Sequence, residues 1–169
     1  AAHAQAEDDL REGDKYFGTC AMMATLPGLP MLGHGQIEGF REKYGMEFAR
    51  ARHAEDPKPW MVARHEREIF PLLRRRWMFA DVERFRLYDA VLESGAVCED
   101  VIAYSNGAGG ANALVAYHNR YAEAEVRIKD SVAFRTAGGD LARVSLVDAL
   151  GLAVEDDLVL VGVDSVSRL

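Results

Sequence analysis

The stretch Ala24 to Gly45, ATLPGLPMLGHGQIEGFREKYG, constrains this chain more than any other. It reads as the end of a helix, a sharp Pro/Gly turn, a very short apolar strand at Met31-Leu32, and a Gly-rich polar loop. Pro27 and Gly28 stop the helix, because proline lacks a backbone donor and clashes with the preceding turn. Pro30 cannot donate to a strand ladder, so it belongs at the start of the strand. A short strand that is apolar on both faces fits a buried parallel sheet.

Helix, strand and polar loop in that order is the pattern of a (β/α) barrel, whose chemistry sits at the carboxyl ends of its strands. Too little sequence precedes Ala24 to build such a barrel. The expectation is therefore a C-terminal part of a larger protein.

Residues 1–13 are Ala-rich and then acidic at Glu7, Asp8, Asp9 and Glu12, as a frayed helix or a leftover loop would be. Gly13-Asp14 reads as a helix start, since an Asp side chain can accept from the open N–H groups of a first turn. Lys15 to Leu26 follows with Tyr16, Phe17, Cys20, Ala21, Met23 and Ala24, a wide apolar face suited to packing on a sheet. Residues 33–56 form a connection longer than the usual 12–15 residues or so, which favours a functional loop. Asp56-Pro57 reads as an N-cap followed by proline at the first helical position. Trp60 to Phe70 is then helical, with Met61, Ala63, Ile69 and Phe70 for burial. Pro71 kinks that helix or starts a second one, Leu72 to Phe79, with a stripe of Leu72, Leu73, Trp77 and Met78.

Near Val82 the hydrophobic period changes from 3.6 to 2. Phe85–Tyr88, Val101–Tyr104, Ala113–Tyr117, Val126–Ile128 and Val132–Phe134 read as strands, and Asn106–Gly110 as a hairpin loop. Ser145 caps a short helix ended by Gly151, and Leu158–Val163 reads as a last strand. The change of period divides the chain into residues 1–81 and residues 82–169, the second an antiparallel β-sandwich.

A net charge of −7 argues against nucleic acid or an anionic membrane as a partner, since both attract basic surfaces. Arg74-Arg75-Arg76 is a local exception that a solvated helix face explains more cheaply than a phosphate site. The two cysteines, Cys20 and Cys98, lie among apolar residues and make no CxxC. Two buried free thiols favour a reducing compartment such as the cytoplasm, with a single disulfide as the alternative. No apolar run approaches the roughly 20 residues of a membrane helix.

Thr25-Leu26-Pro27-Gly28-Leu29-Pro30, followed by Met31-Leu32-Gly33-His34-Gly35-Gln36, resembles the last barrel strand of the α-amylase family of glycoside hydrolases. In that family such a turn leads into an apolar strand ending in Gly-Gln or Gly-Asp, usually followed by Glu. The similarity covers roughly residues 14–135 and is strongest over 14–45. It implies an α+β chain: the terminal, mostly helical piece of a (β/α)₈ barrel, then an all-β C-terminal domain. One departure is local. The family shows Gly-Gln-Glu-Ile where this chain has Gly35-Gln36-Ile37-Glu38. On an extended backbone that shift turns the acid to the opposite face.

The resemblance implies retaining chemistry on α-glucosidic bonds, which uses two carboxylates about 5–5.5 Å apart. In the family these acids, and a third, precede the segment where this chain begins. Glu7, Asp8 and Asp9 lack the His-Asp step of the third acid, because Ala4 follows His3. The chain alone is therefore expected to be inactive, without catalytic residues, cofactor or metal. Its expected partners are an α-glucan or oligosaccharide and the missing N-terminal barrel segment of the same protein. His34, Gly35, Gln36 and Glu38 would lie at the substrate rim. There Gln36 and Glu38 either bond sugar hydroxyls or only order the loop. Phe40, Tyr44 and Phe48 either stack on sugar rings or pack the loop onto the barrel.

His34 has no second ligand at metal spacing on its own element. His65 with Glu66 and Glu68 looks like a metal helix only superficially and reads as a solvated face. Tyr104, Tyr117 and Tyr121 read as core by alternation, with a starch-surface platform as the other reading. A different class of function remains open beside the enzyme: a non-catalytic β-sandwich carbohydrate-binding or scaffolding module with a helical collar.

Overall fold

The computed structural model of the chain describes residues 2–41, 50 and 53–153. They form a mixed α+β structure whose sheets are all antiparallel, and none of these sheets closes into a barrel. The chain separates into two compact units, Ala1–Ala24 with Leu29–Arg75, and Thr25–Gly28 with Arg76–Leu169.

The first unit is helical. Helix α1 spans Ala2–Thr25. It does not begin at Asp14: alanines and glutamate upstream are strong helix formers, so the helix runs on through Gly13. Asp14 then takes an ion pair with Arg64 instead of a capping role. Helix α2, Pro59–Arg64, starts after Lys58 with proline in its first turn, two residues later than the Asp56-Pro57 reading. A π-helical turn, His65–Ile69, continues into α3, Phe70–Arg74. The Phe70 N–H reaches back five residues to the His65 carbonyl. Pro71 explains the widened turn: it has no N–H to give, and its ring would strike the carbonyl four residues earlier.

Phe17, Cys20 and Ile69 form the buried core of this unit, with Tyr16, Ala21, Met61 and Leu73 packed around them. Met31-Leu32 is not a strand. No neighbouring strand offers these residues a ladder among the described residues, so the segment stays irregular with Met31 75% exposed. Strand structure depends on partners, and apolar character alone does not supply them.

The second unit begins with α4, Arg76–Phe79, and continues into strands. Helix α4 packs on a later strand, so the units divide before the change of hydrophobic period at Val82. Strands β1 (Arg86–Tyr88), β3 (Val101–Ala108) and β4 (Ala111–His118) form one sheet in the order β1-β3-β4. The hairpin is tighter than the sequence reading. Asn106 and Gly107 lie within β3, and Gly109-Gly110 alone make the turn, with φ of +56° and +85°. Positive φ at both central residues suits the twist of a two-residue hairpin and favours glycine.

Strand β2 (Val91–Leu92) pairs with β5 (Val126–Arg127), and β6 (Phe134–Arg135) pairs with β7 (Leu141–Ala142). Helix α5, Leu146–Leu150, has Ser145 as N-cap, whose Oγ accepts from the Asp148 N–H, and Gly151 as a left-handed end. This matches the sequence reading. The expected strand Leu158–Val163 lies outside the described residues.

Tyr104 is fully buried and its hydroxyl bonds to Thr25 Oγ1 at 2.6 Å. Tyr88 is buried and bonds to Ser105 Oγ at 2.7 Å. Asn106 Nδ2 donates to the carbonyls of Phe79 and Asp81. These bonds satisfy polar groups that would otherwise be stranded away from water. Of the other two tyrosines read as core, Tyr117 is half-buried and Tyr121 is 53% exposed, because Tyr121 lies beyond the end of β4, where alternation no longer applies. Arg74 and Arg75 are exposed, while Arg76 is half-buried and its Nη2 donates to the Gly28 carbonyl.

Candidate functional site

The loop Gly33–Phe40 carries every residue that the sequence places at a substrate rim, and it is built around Gly35. Gly35 is buried with φ +71°, and a β-carbon there would lie 2.7 Å from Phe40 Cδ2. The close approach lets the Phe40 N–H donate to the Gly35 carbonyl at 2.8 Å. A side chain at this position would break both the backbone conformation and the contact.

Gln36 is turned inward. Its Oε1 accepts from the Gly33 N–H at 2.9 Å, its Nε2 points at Cys20 Sγ at 4.0 Å, and its backbone N–H donates to the Gly33 carbonyl at 3.1 Å. The amide thus closes the turn that it belongs to. Glu38 is half-buried, and its backbone carbonyl accepts from the Lys58 N–H at 2.9 Å, fastening the loop to the start of α2. His34 is exposed, with its ring 6.2 Å from that of Phe40. Phe40 is half-buried, while Tyr44 and Phe48 lie outside the described residues.

Two further residues meet this loop, Tyr16 and Cys20, with His65 against Tyr16, and the sequence reading missed all three in that role. The Tyr16 hydroxyl lies 3.2 Å from the Gln36 carbonyl oxygen and 3.0 Å from His65 Nε2. His65 Nδ1 lies 2.9 Å from the Met61 carbonyl oxygen. His65 is fully buried, with ring centroids 4.8 Å from Phe17 and 5.5 Å from Tyr16. The solvated-face reading of His65 is therefore corrected. A signal for it existed. Met61, His65 and Ile69 recur at a spacing of four, as do Tyr16 and Cys20, so each set shares one face of its helix.

Burial pushes the Tyr16 phenol well above its usual range, with a smaller contribution from the neighbouring Cys20. Burial likewise raises the Cys20 thiol, outweighing its bonds to Tyr16 and Gln36. Cys20 is thus a protonated, unreactive thiol at neutral pH, because the thiolate is the nucleophile. Tyr16 remains a donor. Beside them Arg64 holds Asp14 at 2.6 Å and Glu68 at 2.9 Å, with its guanidinium 4.3 Å from the centre of the Phe17 ring.

The arrangement can therefore orient a loop and present its outer residues. It offers no activated nucleophile in the Tyr16–Cys20–His65 cluster. Among the described residues no group of three or more His, Cys, Asp or Glu side chains is placed to hold a metal ion. No helix of the described residues is long and apolar enough to cross a membrane.

No protein-family model matches this chain, and neither does a curated protein or a solved structure.

Proposed function

We propose that this chain is the C-terminal part of an α-amylase-family glycosidase or glucanotransferase. In this reading its loop Gly33–Phe40 forms one edge of a substrate cleft for an α-glucan or oligosaccharide. The catalytic carboxylates belong to preceding barrel strands, and cleavage proceeds with retention through a covalent glycosyl-enzyme intermediate. In this reading the helical unit is the terminal piece of the (β/α)₈ barrel, and the unit that begins at Arg76 corresponds to the β-rich domain that follows it.

One observation carries the reading. In the segment that would be the eighth barrel strand Met31 is 75% exposed and Leu32 half-buried, and Leu29 in the turn before it is 84% exposed. Large apolar side chains that stand in water on an irregular segment fit a strand whose neighbours come from elsewhere in the polypeptide. The hydrogen-bonded loop that follows Met31-Leu32 fits the carboxyl end of such a strand, where barrel enzymes place their chemistry.

The test is the product of the complete reading frame that contains this chain. It is expected to hydrolyse or transfer maltooligosaccharides and to retain the anomeric configuration, as read by proton NMR of the first product. The chain alone is expected to give no turnover above a buffer blank. Turnover by the chain alone would overturn the reading. So would a complete product that binds glucan without cleaving it, which is the behaviour of a carbohydrate-binding module.

A further inference from the structure

Of the asparagines in the chain, Asn106, Asn112 and Asn119, only Asn106 precedes a glycine. Glycine has no side chain to hinder its own nitrogen, and its backbone reaches conformations closed to other residues. An Asn-Gly step is therefore the asparagine context most prone to cyclise. The Gly107 nitrogen attacks the side-chain carbon of Asn106 and a new N–C bond forms. The C–N bond of the side-chain amide breaks, and ammonia leaves with the hydrogen that the Gly107 nitrogen gives up. Water then opens the five-membered imide at either carbonyl, which leaves aspartate or isoaspartate.

The fold sets both residues against this reaction. Asn106 is 3% exposed. Its Nδ2, the nitrogen that would leave, donates to the Phe79 carbonyl at 3.2 Å and to the Asp81 carbonyl at 2.8 Å. The Gly107 N–H donates to Asn106 Oδ1 at 2.9 Å, so this nitrogen presents its hydrogen, not a lone pair, to the side-chain carbonyl. Pairing of Asn106 with Ala113 and of Gly107 with Asn112 holds the backbone extended.

The fold also demands both residues. The amide meets three backbone groups at once, with two hydrogens on one nitrogen and an acceptor oxygen. A β-carbon at Gly107 would run into Asn112 Oδ1 and the Ala111 carbonyl oxygen. The labile dipeptide is thus the product of two separate packing requirements.

We propose that Asn106 is a conditional modification site: the folded chain shields it, and a chain that unfolds cyclises there, loses ammonia and does not refold. Aspartate at this position turns a carboxylate oxygen onto the Phe79 and Asp81 carbonyl oxygens, where it finds no hydrogen to accept. Isoaspartate adds a methylene to the main chain and breaks the register of β3 against β4 from this point to the turn. Time spent unfolded is converted into permanent loss of the native state.

The test holds the full 169-residue chain in mildly alkaline buffer, with and without unfolding guanidinium chloride, and follows each asparagine by peptide mass mapping. In the unfolded arm Asn106 is expected to convert before Asn112 and Asn119. In the folded arm it is expected to convert at least about tenfold more slowly, because reaction there waits for an opening of the sheet. After the denaturant is removed, the refolded fraction is expected to be depleted of converted chains.

Equal rates at Asn106 in the two arms overturn the proposal, and that comparison needs no variant. Converted chains that refold in their starting proportion also overturn it. G107A, followed in the unfolded arm alone so that its own folding is not at issue, is expected to slow conversion at least about tenfold. An unchanged rate in G107A overturns the cyclic route. N106D is expected to lower the urea midpoint, and an unchanged midpoint overturns the block on refolding.

Discussion

The Arg64 guanidinium lies 2.6 Å from Asp14 and 4.3 Å from the centre of the Phe17 ring, so one cation ties α2 to α1 by charge and by packing. Its side chain is 11% exposed and also holds Glu68 at 2.9 Å. R64A takes the cation from Asp14, leaves Glu68 only its pair with Arg67, and is expected to cost about 2 kcal/mol. D14N leaves Arg64 its bond to Glu68 and is expected to cost about 1 kcal/mol. Urea midpoints at constant slope measure both. Equal losses would mean that Arg64 acts through Asp14 alone.

Gly35 and Gly95 both have positive φ, at +71° and +84°, but they differ in what surrounds them. A β-carbon at Gly35 meets the Phe40 ring at 2.7 Å, whereas one at Gly95 meets nothing within 4 Å. G95A is expected to cost about 1 kcal/mol, the backbone strain alone. G35A adds a clash and is expected to cost about 2–3 kcal/mol. Thermal unfolding of the two variants under one condition gives the comparison.

Thr25 and Tyr104 share a 2.6 Å hydrogen bond, and both residues are almost completely buried. T25V leaves the Tyr104 hydroxyl without its partner and is expected to cost about 1–3 kcal/mol. Y104F is expected to cost about 1 kcal/mol. Because the two side chains share one bond, the double variant T25V/Y104F should lose less than the sum. Additive losses in a double-mutant cycle would show that the bond carries no net stability.

Burial raises the phenols of Tyr16, Tyr88 and Tyr104 above tyrosine's ordinary value near 10. In the unfolded chain these groups lose protons from about pH 10 upward, while the folded chain retains them. The stability they contribute is therefore complete below about pH 10 and is lost as pH rises toward the folded values. Alkaline denaturation should coincide with the late part of the phenolate absorbance change. Y16F, which removes one of the raised groups, should flatten the fall of stability above pH 10. An unchanged slope would contradict the burial of that phenol.

Cys20 is 3% exposed and its thiol is raised by burial, whereas Cys98 is half-buried. Both are free thiols. A charged alkylating reagent at neutral pH is expected to modify Cys98 first, with Cys20 reacting at least tenfold more slowly, by an opening of the helical unit. Peptide mass mapping over time separates the sites. Comparable rates would show that α1 opens readily.

Much of the local structure was legible in the residues themselves. Ser145 and Gly151 bracket α5 because a hydroxyl that accepts from Asp148 and a left-handed glycine act within a few residues of chain. The hairpin β3-β4 was visible from alternation and from its glycines. The stop after Thr25 came from Pro27 and Gly28. Met31-Leu32 was misread because strand formation is a property of a pair of segments, and one segment cannot supply the other's donors and acceptors. His65 was misread because a helix face is polar or buried according to what packs against it.

By itself, then, the sequence determined what acts over one or two turns: caps, stops, the tight glycine turn and the change of period near Val82. Tertiary structure alone decided that Tyr16, from a helix far upstream, reaches His65 and Gln36, and that Gln36 faces inward toward Gly33 and Cys20. The physical reason is that these bonds join positions distant along the chain, and the closing of a long loop is specified by the shared buried surface of Phe17, Cys20 and Ile69 rather than by any local preference.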